Sequence, residues 1–229
     1  MDQNNNSIHD FDFSLICNYF SSLERQGPGS DEATLTALHF AESIQPGAKV
    51  ADLGSGTGSS ALLIARQTQA HVIAVDAFAD FLTKLEHSAI RLSLGSLVEP
   101  IVGDMAHLSF ERESLDAIWS EGAIYNIGYE HGLRYWHQFL RPGGFVAVTD
   151  AVWFRSNPPQ EVWRFGMMHT TKSTPLTIKS SRCKPPVTNL LLLFASAASA
   201  GQRISMSRNT LYAKPLPDNI PTTLSLRNS

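Results

Sequence analysis

Apolar residues at positions 8, 11, 15, 16, 19, 20 and 23 recur at three- and four-residue intervals, which predicts an amphipathic helix over 8–23. The segment Arg25-Gln26-Gly27-Pro28-Gly29-Ser30 then breaks it. A second helix is expected from Ser30, an N-cap residue followed by Asp31 and Glu32 in the first turn, with Ala33, Leu35, Leu38 and Phe40 as its apolar surface and Pro46-Gly47 as its stop. From Lys49 the pattern changes. Short apolar runs at 49–53, 71–76, 97–102, 115–119 and 144–149 alternate with helical spacing at 58–69, 79–93 and 130–140. Arg141-Pro142-Gly143-Gly144 is the predicted turn into the fifth run. Strands alternating with helices predict a mostly parallel, doubly wound α/β sheet preceded by two helices. No internal repeat interrupts the series.

Composition narrows the partners. The 229 residues, 43% hydrophobic, suffice for one α/β domain and an appendage, and the formal charge of −3 provides no broad basic field for nucleic acid. A small-molecule partner is expected instead. Cys17 and Cys183 match no metal or redox spacing, so no metal site is expected and a reducing, cytoplasmic setting suits the chain. The first residues, rich in Asp and Asn, lack a basic stretch leading into an apolar run, which argues against a secretory signal. The most apolar segment, Leu190 to Ala200, is shorter than the roughly 20 residues a bilayer span needs, so no membrane association is expected.

Charge divides the chain near residue 165. Residues 1–165 hold 20 acidic and 10 basic side chains, a balance of −10, whereas 166–229 hold one acid, Asp218, and eight bases, a balance of +7. The later segment shows little sustained period of helix or strand. Its bases are scattered among Leu and Pro without a stacking platform, which disfavours a nucleic-acid arm. The domain reading is therefore 1–47 as helical lid, 48–165 as core, and 166–229 as an atypical tail that is poorly ordered or the product of a shifted reading frame. A shift at Gly166-Met167-Met168-His169 would interrupt the helix begun at Pro159-Gln160-Glu161-Val162-Trp163.

The chemistry is concentrated where the first run ends: Val50-Ala51-Asp52-Leu53-Gly54-Ser55-Gly56-Thr57-Gly58. Glycines at a strand-to-helix turn admit backbone conformations closed to other residues and let a ligand approach closely. The spacing is G-x-G-x-G with an acid two before the first glycine, whereas the dinucleotide fingerprint is G-x-G-x-x-G. Asp52 can complement a cationic group. Val72-Ile73-Ala74-Val75-Asp76 ends in a carboxylate suited to ribose hydroxyls, and Val102-Gly103-Asp104-Met105 offers an acceptor for an adenine amino group and a thioether to pack on its ring. Taken singly, Asp76 can also be read as the cap of the helix starting near Ala79, and Asp104 as a turn residue. Their order after the glycine loop makes the binding reading the stronger.

Over residues 8–165 this arrangement resembles the class I S-adenosylmethionine-dependent methyltransferases, in particular the small, stand-alone bacterial ones. The resemblance implies S-adenosylmethionine as cofactor, held by Asp52, Gly54, Gly56 and Gly58, then Asp76, then Asp104 and Met105, then Ser120 with Glu121. It also implies that Arg25 to Gly29 act as a lid over the methionine end. The family sheet ends in a helix and an antiparallel strand pair, expected beyond residue 165, where the pattern does not show them. Asn-Pro-Pro-Tyr, used by methyltransferases of amino groups on bases and glutamine, is replaced by Ser120-Glu121-Gly122-Ala123. A small-molecule acceptor is expected, with Glu121 or Tyr125 taking or orienting its proton and Asn126 nearby. His107, His131 and His137 receive no catalytic role. The alternatives are a non-catalytic or truncated cofactor-binding protein and an NAD-dependent oxidoreductase, which the glycine spacing disfavours.

Overall fold

The computed structural model describes residues 19–20, 22–23, 25–27, 29–41, 44–151, 189–195, 204–205 and 212–215. Of the helix predicted over 8–23, only Tyr19, Phe20, Ser22 and Leu23 fall within that range, the first three in helical conformation. The helix expected from Pro159 lies outside it.

Helix α1, Asp31–His39, starts as its sequence requires: Ser30 is extended at φ −153°, and its hydroxyl accepts the Ala33 N–H at 3.2 Å, satisfying one otherwise orphaned donor. The sheet begins with β1, Lys49–Leu53, and continues through α2, Ser59–Thr68; β2, His71–Asp76; α3, Ala79–Arg91; β3, Val98–Val102; and β4, Leu115–Glu121. A short 3-10 turn, Ile124–Asn126, and α4, Tyr129–His137, lead to β5, Leu140–Ala151. The spatial order β3-β2-β1-β4-β5 is parallel throughout, with registers such as Val50 opposite Val72 and Ala117.

The near-continuous apolar strands belong to a sheet covered on both faces. Because side chains alternate along a strand, Val50, Val72 and Ala74 pack with Ala37 of α1, Ile64 of α2 and Leu85 of α3, whereas Ala51, Leu53, Ile73 and Val75 pack with Leu133 and Trp136 of α4. Ile64 and Leu85 are fully buried and each contributes about 1.5–3 kcal/mol. The same alternation puts Asp52 on the face of Val50, the one that α1 covers.

The structure corrects two sequence readings. Helix α4 stops at His137 rather than running to 140, and β5 already pairs at Leu140, opposite Leu115. Residues 141–144 are a bulge opposite Asp116, with pairing resuming at Phe145 and Ala117. Arg141 secures the bulge through Nη1, which donates to both Asp116 oxygens at 2.8 and 2.9 Å. In the tail, the apolar run Asn189–Ala195 forms a strand, β6, antiparallel to β5; β7, Ile204–Ser205, and β8, Tyr212–Pro215, extend the sheet in the order β5-β6-β8-β7. Strand structure is therefore present where the sequence pattern showed no period.

Candidate functional site

The carboxyl ends of β1, β2, β3 and β4 meet at one edge of the sheet, the edge where open α/β folds bind ligands. The glycine loop leaves β1 and bends over β2, with the N–H groups of Gly54 and Ser55 both donating to the Val75 carbonyl at 2.8 and 3.1 Å. Gly54, Gly56 and Gly58 all take positive φ, at 74°, 56° and 87°. The three glycines serve different ends. A Cβ on Gly54 would collide with Ala123 and crowd Met105, and one on Gly56 would collide with the carboxamide of Gln26. A Cβ on Gly58 would strike Leu85 of α3, so Gly58 packs the loop onto the core behind the site.

A cavity of about 970 Å³ lies over this edge, at the upper end of the range for small-ligand sites. Gly54, Gly56, Asp76, Asp104, Met105, Glu121 and Tyr125 line it, and Asn126 joins them. A smaller chamber, about 40 Å³, adjoins it beneath the segment 25–27 and is walled by Arg25, Gln26, Asp52 and Ser55; Gln26, Gly27, Gly54, Gly56 and Glu121 border both spaces. Ser120 is not brought to either. It is fully buried, and its hydroxyl donates to the Leu53 carbonyl at 2.8 Å, tying β4 to β1 behind the cavity.

Asp52 is fully desolvated, and burial holds its carboxyl well above the ordinary carboxylate range. Repulsion from Glu121 and Asp76 adds to that, against a backbone hydrogen bond from Ala61 and the charge of Arg25. Its Oδ2, the hydroxyl of Ser55 and Nε2 of Gln26 are buried without a hydrogen-bond partner among the described residues. Asp76 is also raised by burial, although Gly56 and Phe78 donate their N–H groups to its two oxygens at 2.7 and 3.0 Å. Asp104 stands at the exposed rim. The N–H of Ala106 and then the ring of His107, 2.7 Å away through Nδ1, lower its pKa. Met105 is fixed from behind, its carbonyl accepting Nε1–H of Trp136 at 2.9 Å.

Glu121 was expected near the acceptor as a proton-taking group, and the structure engages both of its oxygens instead. Oε2 accepts from Arg25 Nη1 at 2.8 Å, while Oε1 accepts from Thr34 at 2.7 Å and from Trp119 Nε1 at 2.8 Å. Sequence reasoning missed Thr34 and the individual role of Gln26, because their contacts join positions far apart in the chain, and it missed Trp119, which lies on the same face of β4 two residues before Glu121. It also missed Phe20, Phe78 and Phe81, which supply apolar wall to the cavity. The aromatic pair two and five residues after Asp76 was the available signal.

Residues 50–144 match the family described as Methyltransferase domain. The chain is 33% identical over 110 residues to "Sterol methyltransferase-like 1" of Botryococcus braunii, covering 48% of this chain and 28% of that protein. It is 31% identical over 136 residues to "Malonyl-[acyl-carrier protein] O-methyltransferase" of Dechloromonas aromatica, covering 56% and 48%. The chain thus spans half or less of the length of these curated relatives. Among solved structures it is similar to an S-adenosylmethionine-dependent methyltransferase of Thiobacillus denitrificans in complex with S-adenosylhomocysteine, with 26% identity, a TM-score of 0.58, and coverage of 65% of this chain and 60% of that one. A methyltransferase of Geobacter sulfurreducens in the same complex gives 25% identity, a TM-score of 0.58, and coverage of 66% and 60%. These matches favour the methyl-donor reading of the glycine loop over the dinucleotide one. No helix among the described residues is long and apolar enough to cross a membrane.

Proposed function

Residues 50–144 belong to the class I S-adenosylmethionine-dependent methyltransferases, with S-adenosylmethionine as cofactor, and from that premise we propose that this chain methylates a small organic acceptor. The observation that carries the proposal is the orphaned Oδ2 of Asp52, a buried acceptor facing a small chamber beside a much larger cavity. A buried acceptor without a donor is costly, and a cationic amino group is the partner that would satisfy it. The residues present therefore fit the cofactor. Asp52 would hold the ammonium of its amino-acid end, Asp76 its ribose hydroxyls, and Asp104 with Met105 its adenine, while Gly54 and Gly56 let Met105 and Gln26 pack close against the loop beside it. Bound there, it supplies a methyl group made electrophilic by its sulfonium.

The chain's own task is alignment and exclusion of water rather than covalent catalysis. Tyr125 and Asn126 line the cavity beside the β4 end and are the side chains assigned to orient the acceptor. Glu121 is assigned to holding the lid, since Arg25, Thr34 and Trp119 already claim its oxygens. The cavity volume accommodates a cofactor and a small acceptor together. The net charge and the lack of a metal or redox spacing between the two cysteines accord with a cytoplasmic enzyme acting on a metabolite rather than on nucleic acid.

Titration calorimetry of the full chain with S-adenosylhomocysteine, with NADH in parallel, tests the proposal. Binding of the first and not the second is expected, and Asp76→Ala should weaken it by roughly tenfold or more. A folded sample that binds NADH, or neither ligand, would overturn it. Methyl transfer to a panel of oxygen, nitrogen and carbon acceptors then identifies the substrate.

A further inference from the structure

Residues 25–27 and 29 are tied down by contacts that no turn of their own chain requires. Arg25 is mostly buried, at 17% side-chain exposure, and its Nη1 donates to Glu121 at 2.8 Å, while Nη2 reaches Asp31 at 3.0 Å and Thr34 at 3.4 Å. Glu121, exposed to only 6%, is fixed in turn by Thr34 and Trp119. A buried pair with its remaining acceptor sites satisfied specifies one arrangement of its backbone, because losing either partner strands the other. Gly29, at φ +135°, passes so close that a Cβ would lie 3.4 Å from Glu121 Oε2 and 3.5 Å from Arg25 Nη1. The strap is thereby latched to the end of β4.

The latch delivers the next residue, Gln26, to the glycine loop. Its carboxamide sits where any side chain on Gly56 would collide with it, and Oε1 accepts the Thr57 N–H at 3.0 Å. That bond fixes the orientation of the amide, since a backbone N–H can only donate and must face the oxygen. The NH₂ group is left buried, without a partner among the described residues, in the chamber that also holds the orphaned Asp52 Oδ2 and Ser55 hydroxyl. A lone acceptor and a lone donor across one small chamber complement a zwitterion: an ammonium for Asp52 and a carboxylate for the amide.

We infer that Gln26 is a cofactor-binding residue whose Nε2 donates to the carboxylate of the cofactor's amino-acid end, and that Glu121, through Arg25, is the positioning residue that holds it there. This rests on the methyltransferase reading and deepens it. Calorimetry of the full chain with two probes separates the two levels: S-adenosylhomocysteine, and 5′-methylthioadenosine, which keeps the nucleoside and thioether but lacks the amino-acid end. Gln26→Ala should weaken the first by roughly tenfold or more and leave the second within about twofold. Gln26→Glu keeps the shape and the Thr57 contact but sets a negative charge against the carboxylate, so its loss should be larger. Glu121→Gln should weaken S-adenosylhomocysteine selectively too, and combining it with Gln26→Ala should add little, as expected for groups acting through one contact. Unchanged affinity in the Gln26 variants, or an equal loss for both probes, overturns the inference while leaving the proposed function standing; unchanged affinity in Glu121→Gln overturns the latch. A folded chain that binds neither probe overturns the proposed function and this inference together.

Discussion

Asp52 makes the ligand-free chain less stable than its fold allows. Its carboxyl is desolvated, repelled by Glu121 and Asp76, and left with an oxygen that has no partner among the described residues. A carboxyl whose pKa is raised on folding binds more protons folded than unfolded, so stability falls as pH climbs from the ordinary carboxylate range toward the raised value. Asp52→Asn removes that cost. The ligand-free melting temperature of the variant should exceed that of the parent by a few degrees at about pH 7 and lose the advantage near pH 4, while S-adenosylhomocysteine affinity falls by roughly tenfold or more. A parent chain already as stable as the variant at neutral pH would mean that the carboxylate is satisfied without ligand. Gly58 behaves in the opposite way. Its spacing reads as part of the ligand loop, yet the space beside it is taken by Leu85. Gly58→Ala should therefore cost about 1–3 kcal/mol in denaturant unfolding through overpacking, with near-parental ligand affinity in the folded fraction. The sequence could show that a glycine stands at position 58; which neighbour makes it necessary depended on how α3 packs, and no local pattern encodes that.

Among the elements, β1 to β4 and the helices between them were legible to within one or two residues because each carries its own period and its own stops, as Ser30 does for α1. The start of β5 was not. Arg141-Pro142-Gly143-Gly144 has the composition of a turn, and only the pairing of Leu140 with Leu115 and the bonds from Arg141 to Asp116 convert it into a bulge. The site followed the same rule. Asp76, Asp104 and Met105 could be placed at the cavity because each ends or follows a strand, and Glu121 because it ends β4, but its occupation by Arg25, Thr34 and Trp119 required three elements to be assembled. Helix α4 contributes through one such long-range bond, from Trp136 to the Met105 carbonyl. Trp136→Phe leaves that carbonyl without its donor and a gap in the core, so stability should drop by about 2–4 kcal/mol. Affinity for S-adenosylhomocysteine and 5′-methylthioadenosine should fall together, since the end that loosens is the one assigned to adenine. A selective loss for the larger ligand would mean that α4 acts on the amino-acid end instead.

For the molecule as a whole, the tail poses a conflict between sequence and fold. Residues 166–229 carry a charge balance of +7 against −10 in the body and show no sustained period, yet the backbone of Asn189–Ala195 runs antiparallel along β5 from Phe145 to Ala151. A parallel five-strand sheet without that neighbour would expose one full row of backbone donors and acceptors at β5, and open edges pair with other chains. The two readings of the tail therefore predict different behaviour on truncation. If β6 closes the sheet, a chain ending at residue 165 should melt lower than the full chain and associate with rising concentration, seen as earlier elution in size-exclusion chromatography. If the tail is the product of a shifted frame, truncation should leave melting and elution unchanged, and a chain with its frame restored after codon 165 should melt above both. Closure by β6 is the expected outcome, because a seven-residue register along the β5 edge satisfies backbone groups that scattered tail charges do not.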